Sequence, residues 1–267
     1  KKYKGFIQAV DNMQNARDLQ DAAKAAGIIA DVVVDLDVIN RSGIANGQPA
    51  LALAQFVDKA PNLKFHGVLA YDGAVQHVEG FKARKAQAFK TFEPVVGSYE
   101  LMKKSGLNME IFSGGGTGTY DMMYEIPGFT DVQVGSYLFM DHQYMIIGGA
   151  NNEKIMDDFA PSLTVMATII NDSKAGKYVT DSGAKALTLN VPHGQIIGEP
   201  DFDYNAGSDE YGSVKIINPN KTYKVGDKFE VIVPHCDPVV NLYDFMYGIR
   251  NGKFEKILPI LARGKSQ

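Results

Sequence analysis

The sequence predicts an α/β protein in two parts, a half built of parallel βα units followed by a mostly antiparallel β domain. Three observations predict it. Up to about residue 160, β-branched runs alternate with helical patterns, which is how parallel βαβ units read. Beyond that point, strand-like runs follow one another across turn residues with almost no helical periodicity. The 267 residues are 45% hydrophobic and 22% charged, enough to bury a large core or two. The expected division is 1–160 and 161–267, joined near residues 157–161.

Residues 6–10 read as a short buried strand, with Asp11 as N-cap of a helix over 13–26 that stops at Gly27. Residues 31–37 are a second β-branched strand, followed by a helix over 48–59 closed by Pro61. A third strand over 65–71 runs into a long helix over 79–104. A fourth over 108–112 enters the run Ser113-Gly114-Gly115-Gly116-Thr117-Gly118-Thr119, and a fifth covers 131–134. That makes about five βα units, where a closed (β/α)8 barrel needs eight and roughly 250 residues. Either the sheet is a smaller open one, or about a hundred residues belong in front of Lys1. In the second part, 163–170, 177–180, 186–191, 213–217 and 229–233 are strand-like, with turns at Asn171-Asp172 and Asn218-Pro219-Asn220.

Bulk composition excludes several classes. A net charge of −4 indicates no general polyanion-binding surface, so nucleic acid is not an expected partner. No run reaches the roughly 18 apolar residues of a membrane span, and residues 5–10 are too short for a signal-peptide core. A single cysteine rules out an internal disulfide framework and fits a reducing, cytoplasmic compartment.

The stretch Pro234-His235-Cys236-Asp237-Pro238 follows a strand pattern over 228–233. Continued as a strand, it sets His235 and Asp237 on one face and turns Cys236 away. An imidazole and a carboxylate side by side can hold a divalent cation, with most of its coordination sphere left to water or substrate. A plain hydrogen bond between the two is the alternative. The loop 113–119 sets four glycines and two threonine hydroxyls between a strand and a short helix, an arrangement suited to phosphate. It lacks the Gly-Lys-Ser/Thr ending of a P-loop and a dinucleotide fingerprint, so a small phosphorylated cofactor is the expected ligand. Gly135-Ser136-Tyr137 can add donors to the same phosphate. Arg41, after Asp35 and Asp37, can neutralise an anion or pair with either aspartate. Tyr71-Asp72-Gly73 and Gln76-His77 end another strand, where His77 is a candidate general base or a solvent-facing histidine.

Taken together, these motifs resemble the D-threonine aldolase and D-serine dehydratase family. The matching stretches are 35–43, 70–77, 113–119, 134–141, 181–185, 209–212, 235–244 and 262–267, in the family's order. The resemblance implies an alanine-racemase-type (β/α)8 barrel, its first units absent here, plus a C-terminal β domain. It implies pyridoxal 5′-phosphate as cofactor, with the phosphate on Gly115, Gly116, Thr117, Gly118, Thr119, Gly135, Ser136 and Tyr137. It sets Arg41 by the ring's phenolate oxygen, Tyr71 flanking the cofactor and His77 facing the substrate's β-hydroxyl. His235 and Asp237 become ligands of a divalent metal (manganese, magnesium or zinc). A carboxylate ligand favours the harder cations.

On this resemblance the chain is an aldolase that cleaves β-hydroxy-D-amino acids to glycine and an aldehyde, and a homodimer. The alternatives are a D-serine or 3-hydroxy-D-aspartate dehydratase, a non-catalytic cofactor or metal carrier, and a sugar- or phosphate-metabolising barrel using the glycine loop alone. Three departures are visible. The family's Schiff-base lysine lies on a first strand that this sequence does not contain. Asp72 and Tyr211 stand where relatives commonly show histidine. Lys185 sits in the β domain, where an ion pair is its expected role.

Overall fold

The computed structural model describes residues 5–265. The basic start at 1–4 and the last two residues of the stretch 262–267 lie outside them. Two compact units meet in sequence between Gly135 and Ser136.

The first unit is a five-stranded sheet of β1 (Ile7–Val10), β2 (Ala30–Asp35), β3 (Leu63–Ala70), β4 (Ile111–Gly114) and β5 (Asp131–Val132). The strands are ordered β1-β2-β3-β4-β5, and each neighbouring pair is parallel. The crossovers carry α1 (Met13–Ala26), α2 (Gln48–Lys59) and α3 (Phe81–Lys104), while the β4–β5 connection has only a 3-10 turn over Met123–Glu125, so the five expected strands are present with three helical crossovers. Asn12 rather than Asp11 caps α1, its side chain accepting from Asn15 N at 2.8 Å. β4 begins at Ile111, not at residue 108, and takes in the first two residues of the glycine run.

The strands are apolar on both faces, as parallel sheets covered by helices require. Val32, Val34, Val68 and Phe112 are fully buried. Tyr99 of α3 stacks on Phe112 at 4.9 Å. With all strands parallel, the loops after Asp35, Ala70, Gly114 and Val132 leave the same edge of the sheet, the place where α/β proteins build sites. At the opposite end, the register between β2 and β3 shifts after Val32. His66 is the extra residue of this bulge. Its Nε2 lies 2.6 Å from Asp31 Oδ1 and its Nδ1 2.9 Å from Glu110 Oε2.

The second unit is a six-stranded antiparallel sheet ordered β8 (Gln195–Ile196), β11 (Lys228–Ile232), β6 (Thr164–Lys174), β7 (Lys177–Thr180), β10 (Gly212–Lys215), β9 (Asp203–Asn205). A short helix, α4 (His142–Met145), precedes β6 and β7. Then come α5 (Ala184–Leu187), β8, β9, β10 and β11. The run 186–191 is therefore not a strand. Gly183 opens a helical turn there, and the segment after it contains Pro192, which cannot donate to a ladder. The expected turn at Asn171-Asp172 is instead an irregularity inside β6, whose pairing with β7 shifts on both sides of Asn171. After α6 (Cys236–Val240) the chain makes an antiparallel hairpin, β12 (Phe245–Arg250) and β13 (Lys253–Pro259), that the sequence pattern did not announce. The core of this unit gathers Tyr178, Phe202, Tyr204, Tyr223, Phe229 and Val231. No helix among the described residues is long and apolar enough to cross a membrane.

Candidate active site: a polar rim and a histidine–carboxylate cluster

In the first unit, three loops of the rim carry the expected side chains. After β2, Asn40 adopts φ 56° and its N–H reaches Asp37 Oδ1 at 2.7 Å, while Ser42 donates to Asp35 Oδ2 at 3.0 Å. This turn lifts Arg41 into an exposed position with its guanidinium 4.9 Å from the centre of the Tyr71 ring. Arg41 thus lies on an aromatic face, where an ion pair with Asp35 or Asp37 had been the alternative. Burial raises the Asp35 carboxyl above its ordinary range, against the lowering effects of Ser42 and Arg41.

After β3, Asp72 is fully buried, and burial pushes its carboxyl up to about 6. Its Oδ1 accepts from Gln76 Nε2 at 2.7 Å, while Oδ2 meets no hydrogen-bond partner. His77, one residue on, is exposed in the turn before α3.

After β4, the glycine turn folds against Gln76. Gly118 N–H donates to Gln76 Oε1 at 2.7 Å, and Gln76 Nε2 also donates to Thr119 Oγ1 at 3.0 Å. A Cβ on Gly116 would stand 2.7 Å from Gln76 Oε1, and one on Gly118 2.1 Å from Gln76 O. These two glycines are thus demanded by the close approach of the neighbouring loop. The N–H of Gly116 donates to Thr119 Oγ1 at 3.1 Å and that of Thr119 to Gly116 O at 3.1 Å. Three amides of the turn are therefore held within the protein, and Thr117 and Thr119 are buried. Arg84 of α3, also buried, clamps the turn from behind through Nε to Gly118 O at 2.6 Å. Sequence reasoning missed Gln76 and Arg84. Gln76 stood in a quoted motif, and the only signal was a polar residue two positions after an apolar-flanked turn.

In the second unit, Ser136 is buried and hydrogen-bonds Cys236, while Tyr137 packs edge-on to Phe159 at 5.5 Å. His235 and Asp237 do come together, with Nε2 and Oδ2 3.9 Å apart, but not as neighbours on a strand. β11 ends at Ile232, His235 is the N-cap of α6, and Asp237 lies in its first turn. Pro238 suits this start, since a proline in the first turn gives up an N–H that has no helical partner. Cys236 is turned inward and buried. Two atoms bound to one cation at about 2.0–2.2 Å lie at most about 4.4 Å apart, so the observed separation admits a shared ion.

The residue that orders this cluster is Asp141, which sequence reasoning quoted only as the end of a matching stretch. It caps α4 through Oδ1, accepting from Tyr144 N at 3.1 Å. Its Oδ2 lies 2.9 Å from both His235 Nδ1 and Cys236 N. The backbone of α4 holds the same segment, His142 N donating to Val233 O and Gln143 N to Pro234 O. Burial pushes Asp141 up, but the hydrogen bonds from His235, Cys236 and Tyr144 outweigh it and hold the carboxyl below its ordinary value. Burial likewise pushes His235 down, and the hydrogen bond and charge of Asp141 with the charge of Asp237 raise it on balance.

Asp141, His235 and Cys236 form a second possible donor set, with ligand atoms within 4.8 Å of one another. Burial pushes the Cys236 thiol up to about 12, and the thiolate is the ligating form. Asp141 Oδ2 already accepts two hydrogen bonds. The His235–Asp237 side, with an exposed carboxylate, is the better cradle. In the β domain, Lys185 forms the expected ion pair, with Glu210.

Set beside known proteins, residues 1–143 match the family described as alanine racemase, N-terminal domain, and residues 162–249 match a putative serine dehydratase domain. The chain belongs to the alanine racemase N-terminal domain family, with a parallel α/β first part and an antiparallel β second part. Its relatives within that family are more particular. It is 34% identical to a 3-hydroxy-D-aspartate aldolase of Paracoccus denitrificans, over 96% of this chain and 66% of that protein. It is also 34% identical to a D-threonine aldolase of an Arthrobacter species, over 97% of this chain and 67% of that protein. The crystal structure of D-threonine aldolase from Filomicrobium marinum superposes with a TM-score of 0.90 at 31% identity, covering 98% of this chain and 71% of that one. The chain spans about two thirds of the length of the curated relatives it matches.

Proposed function

We propose that this chain is the larger part of a metal-activated, pyridoxal-phosphate-dependent aldolase that cleaves β-hydroxy-D-amino acids of the D-threonine type to glycine and an aldehyde. The observation that carries the reading is the His235–Asp237 pair, 3.9 Å apart, with the far nitrogen of His235 tied to Asp141. A metal-ligating histidine has its second nitrogen fixed in this way by a carboxylate. The two named aldolases at 34% identity supply the substrate class.

The rim fits an anionic aromatic cofactor. It offers a guanidinium over an aromatic ring and two buried threonines on a tight turn. Arg41 and Tyr71 would hold the ring. Gly115, Gly116, Thr117, Gly118 and Thr119, with Gly135, Ser136 and Tyr137, would hold the phosphate, the hydroxyls donating. When bound, the cofactor supplies an electron sink for bond breaking at Cα. His235 and Asp237 would hold the divalent metal, which would supply Lewis acidity; manganese and magnesium suit a carboxylate ligand better than zinc does. His77 is exposed and takes the β-hydroxyl proton as general base. Loss of that proton releases the aldehyde as the Cα–Cβ bond breaks. Asp141 acts at one remove by keeping the proton of His235 on Nδ1. A cytoplasmic homodimer is the setting we infer, on the single cysteine and on family resemblance.

The matched serine dehydratase domain favours, as a second reading, loss of the hydroxyl from the same substrates. Incubating the full-length protein with D-threonine tests both readings. Acetaldehyde and glycine support the aldolase, and a 2-keto acid with ammonia supports the dehydratase. Activity that survives exhaustive chelation removes the metal from either scheme. Borohydride reduction that leaves no pyridoxyl-lysine adduct removes the Schiff-base enzyme and leaves only a non-covalent carrier.

A further inference from the structure

Thr119 Oγ1 is fully buried and already accepts two hydrogen bonds, from Gln76 Nε2 at 3.0 Å and from Gly116 N at 3.1 Å. A hydroxyl has two acceptor sites and one proton. With both sites filled, the oxygen can act outward only as a donor. Among the described residues, that proton has no protein acceptor.

The orientation of Gln76 is what forces this. Its Oε1 must face the Gly118 N–H, at 2.7 Å, because a donor there would oppose a donor. Nε2 then points the other way and divides its two protons between Thr119 Oγ1 and Asp72 Oδ1, the latter at 2.7 Å. Asp72 supplies the acceptor that completes the amide's pairing, and Gln76 is itself buried. Each atom in the chain Asp72–Gln76–Thr119 has its direction fixed by the one before.

We propose that Asp72 and Gln76 are positioning residues that lock the Thr119 hydroxyl as a dedicated donor to an anion, the phosphate of the cofactor, seated on the glycine turn. This rests on the proposed phosphate role of residues 115–119 and adds what sets their hydrogen-bond polarity. It also gives Asp72 a role that its carboxylate performs through one oxygen, as acceptor, with no need of its charge.

The test compares pyridoxal phosphate with pyridoxal, titrated spectrophotometrically into the full-length protein. The ratio of the two affinities isolates the phosphate, since damage to the fold weakens both ligands alike. Gln76→Glu keeps the shape and still accepts from Gly118, but has no proton for Thr119, whose hydroxyl then turns inward to donate to the new carboxylate. The preference for the phosphorylated form should fall about 10- to 100-fold, the worth of one hydrogen bond to a charged group. Thr119→Val should do the same without adding charge, and Thr119→Ser should restore the preference. Asp72→Asn, which keeps an acceptor oxygen for Gln76, should retain it, while Asp72→Leu should lose it.

A preference unchanged in both Gln76→Glu and Thr119→Val overturns the inference and leaves the phosphate site standing. Equal affinity for pyridoxal and pyridoxal phosphate in the unsubstituted protein overturns the phosphate site, and the inference with it.

Discussion

His235 Nδ1 stands 2.9 Å from Asp141 Oδ2, a carboxylate that also caps α4 and receives the Cys236 N–H. One buried side chain thus fixes the ring of His235, the start of α6 and the start of α4. It selects the tautomer in which Nε2, facing Asp237, has a lone pair for a cation.

Asp141→Asn should therefore weaken metal binding, at some cost in stability because the Cys236 N–H loses its acceptor. The asparagine oxygen can still cap α4, but its NH2 then faces Nδ1 and moves the ring proton to Nε2. Manganese affinity measured by calorimetry is expected to fall about 10- to 100-fold. An unchanged affinity would show that the ring does not ligate through Nε2.

The two donor sets around His235 separate by substitution. If the cation sits between Nε2 and Asp237, Asp237→Ala should cost at least as much affinity as Asp141→Asn, while Cys236→Ser should leave it within about 2-fold, since Cys236 is turned inward and buried. The opposite ranking would move the ion to the cysteine side.

His77→Asn should lower retro-aldol turnover about 10²–10⁴-fold if His77 is the base, with KM for D-threonine little changed. Its exposed place in the turn before α3 keeps the substitution out of the core, and circular dichroism of the variant checks this. Turnover equal to that of the unsubstituted protein would take His77 out of the scheme.

Asp72 predicts a pH dependence of stability opposite to that of most aspartates. Burial raises its carboxyl from 3.8 to about 6, so the folded chain holds this proton more tightly than the unfolded chain does. Its contribution is fully favourable below pH 3.8, is lost as the pH rises to about 6, and is flat above that. Asp72→Asn removes the ionisation. Relative to the unsubstituted protein it should gain stability progressively across that window, by on the order of 3 kcal/mol at pH 8. Denaturant midpoints at pH 4 and pH 8 measure it, and an equal difference at both would contradict the assignment.

Much of the fold was legible because its signals were local. The runs Val32-Val33-Val34 and Val68-Leu69-Ala70 read directly as buried parallel strands, and Gly27 and Pro61 marked helix ends where the structure has them. What escaped was set by contacts distant in sequence. Asp141 and His235 are 94 residues apart, Gln76 and Gly118 are 42 apart, and no spacing rule links such pairs. His235 and Asp237 were expected together for the wrong reason, as strand neighbours, because the helical start after Pro234 is decided by α4 packing on it. The hairpin of β12 and β13 was invisible because Phe245, Tyr247, Ile249 and Phe254 are all exposed, so its large apolar residues do not mark a buried face as they do in a half-buried strand.

The bulge at His66 separates two burdens along one sheet. An imidazole clasped between Asp31 and Glu110 fastens three adjoining strands at the end where they begin, whereas every group proposed for chemistry in this unit hangs from the end where they finish. Mechanical anchorage and reactivity therefore draw on different residues, and the loops at the working edge can be rewritten for another substrate without unpicking the clasp.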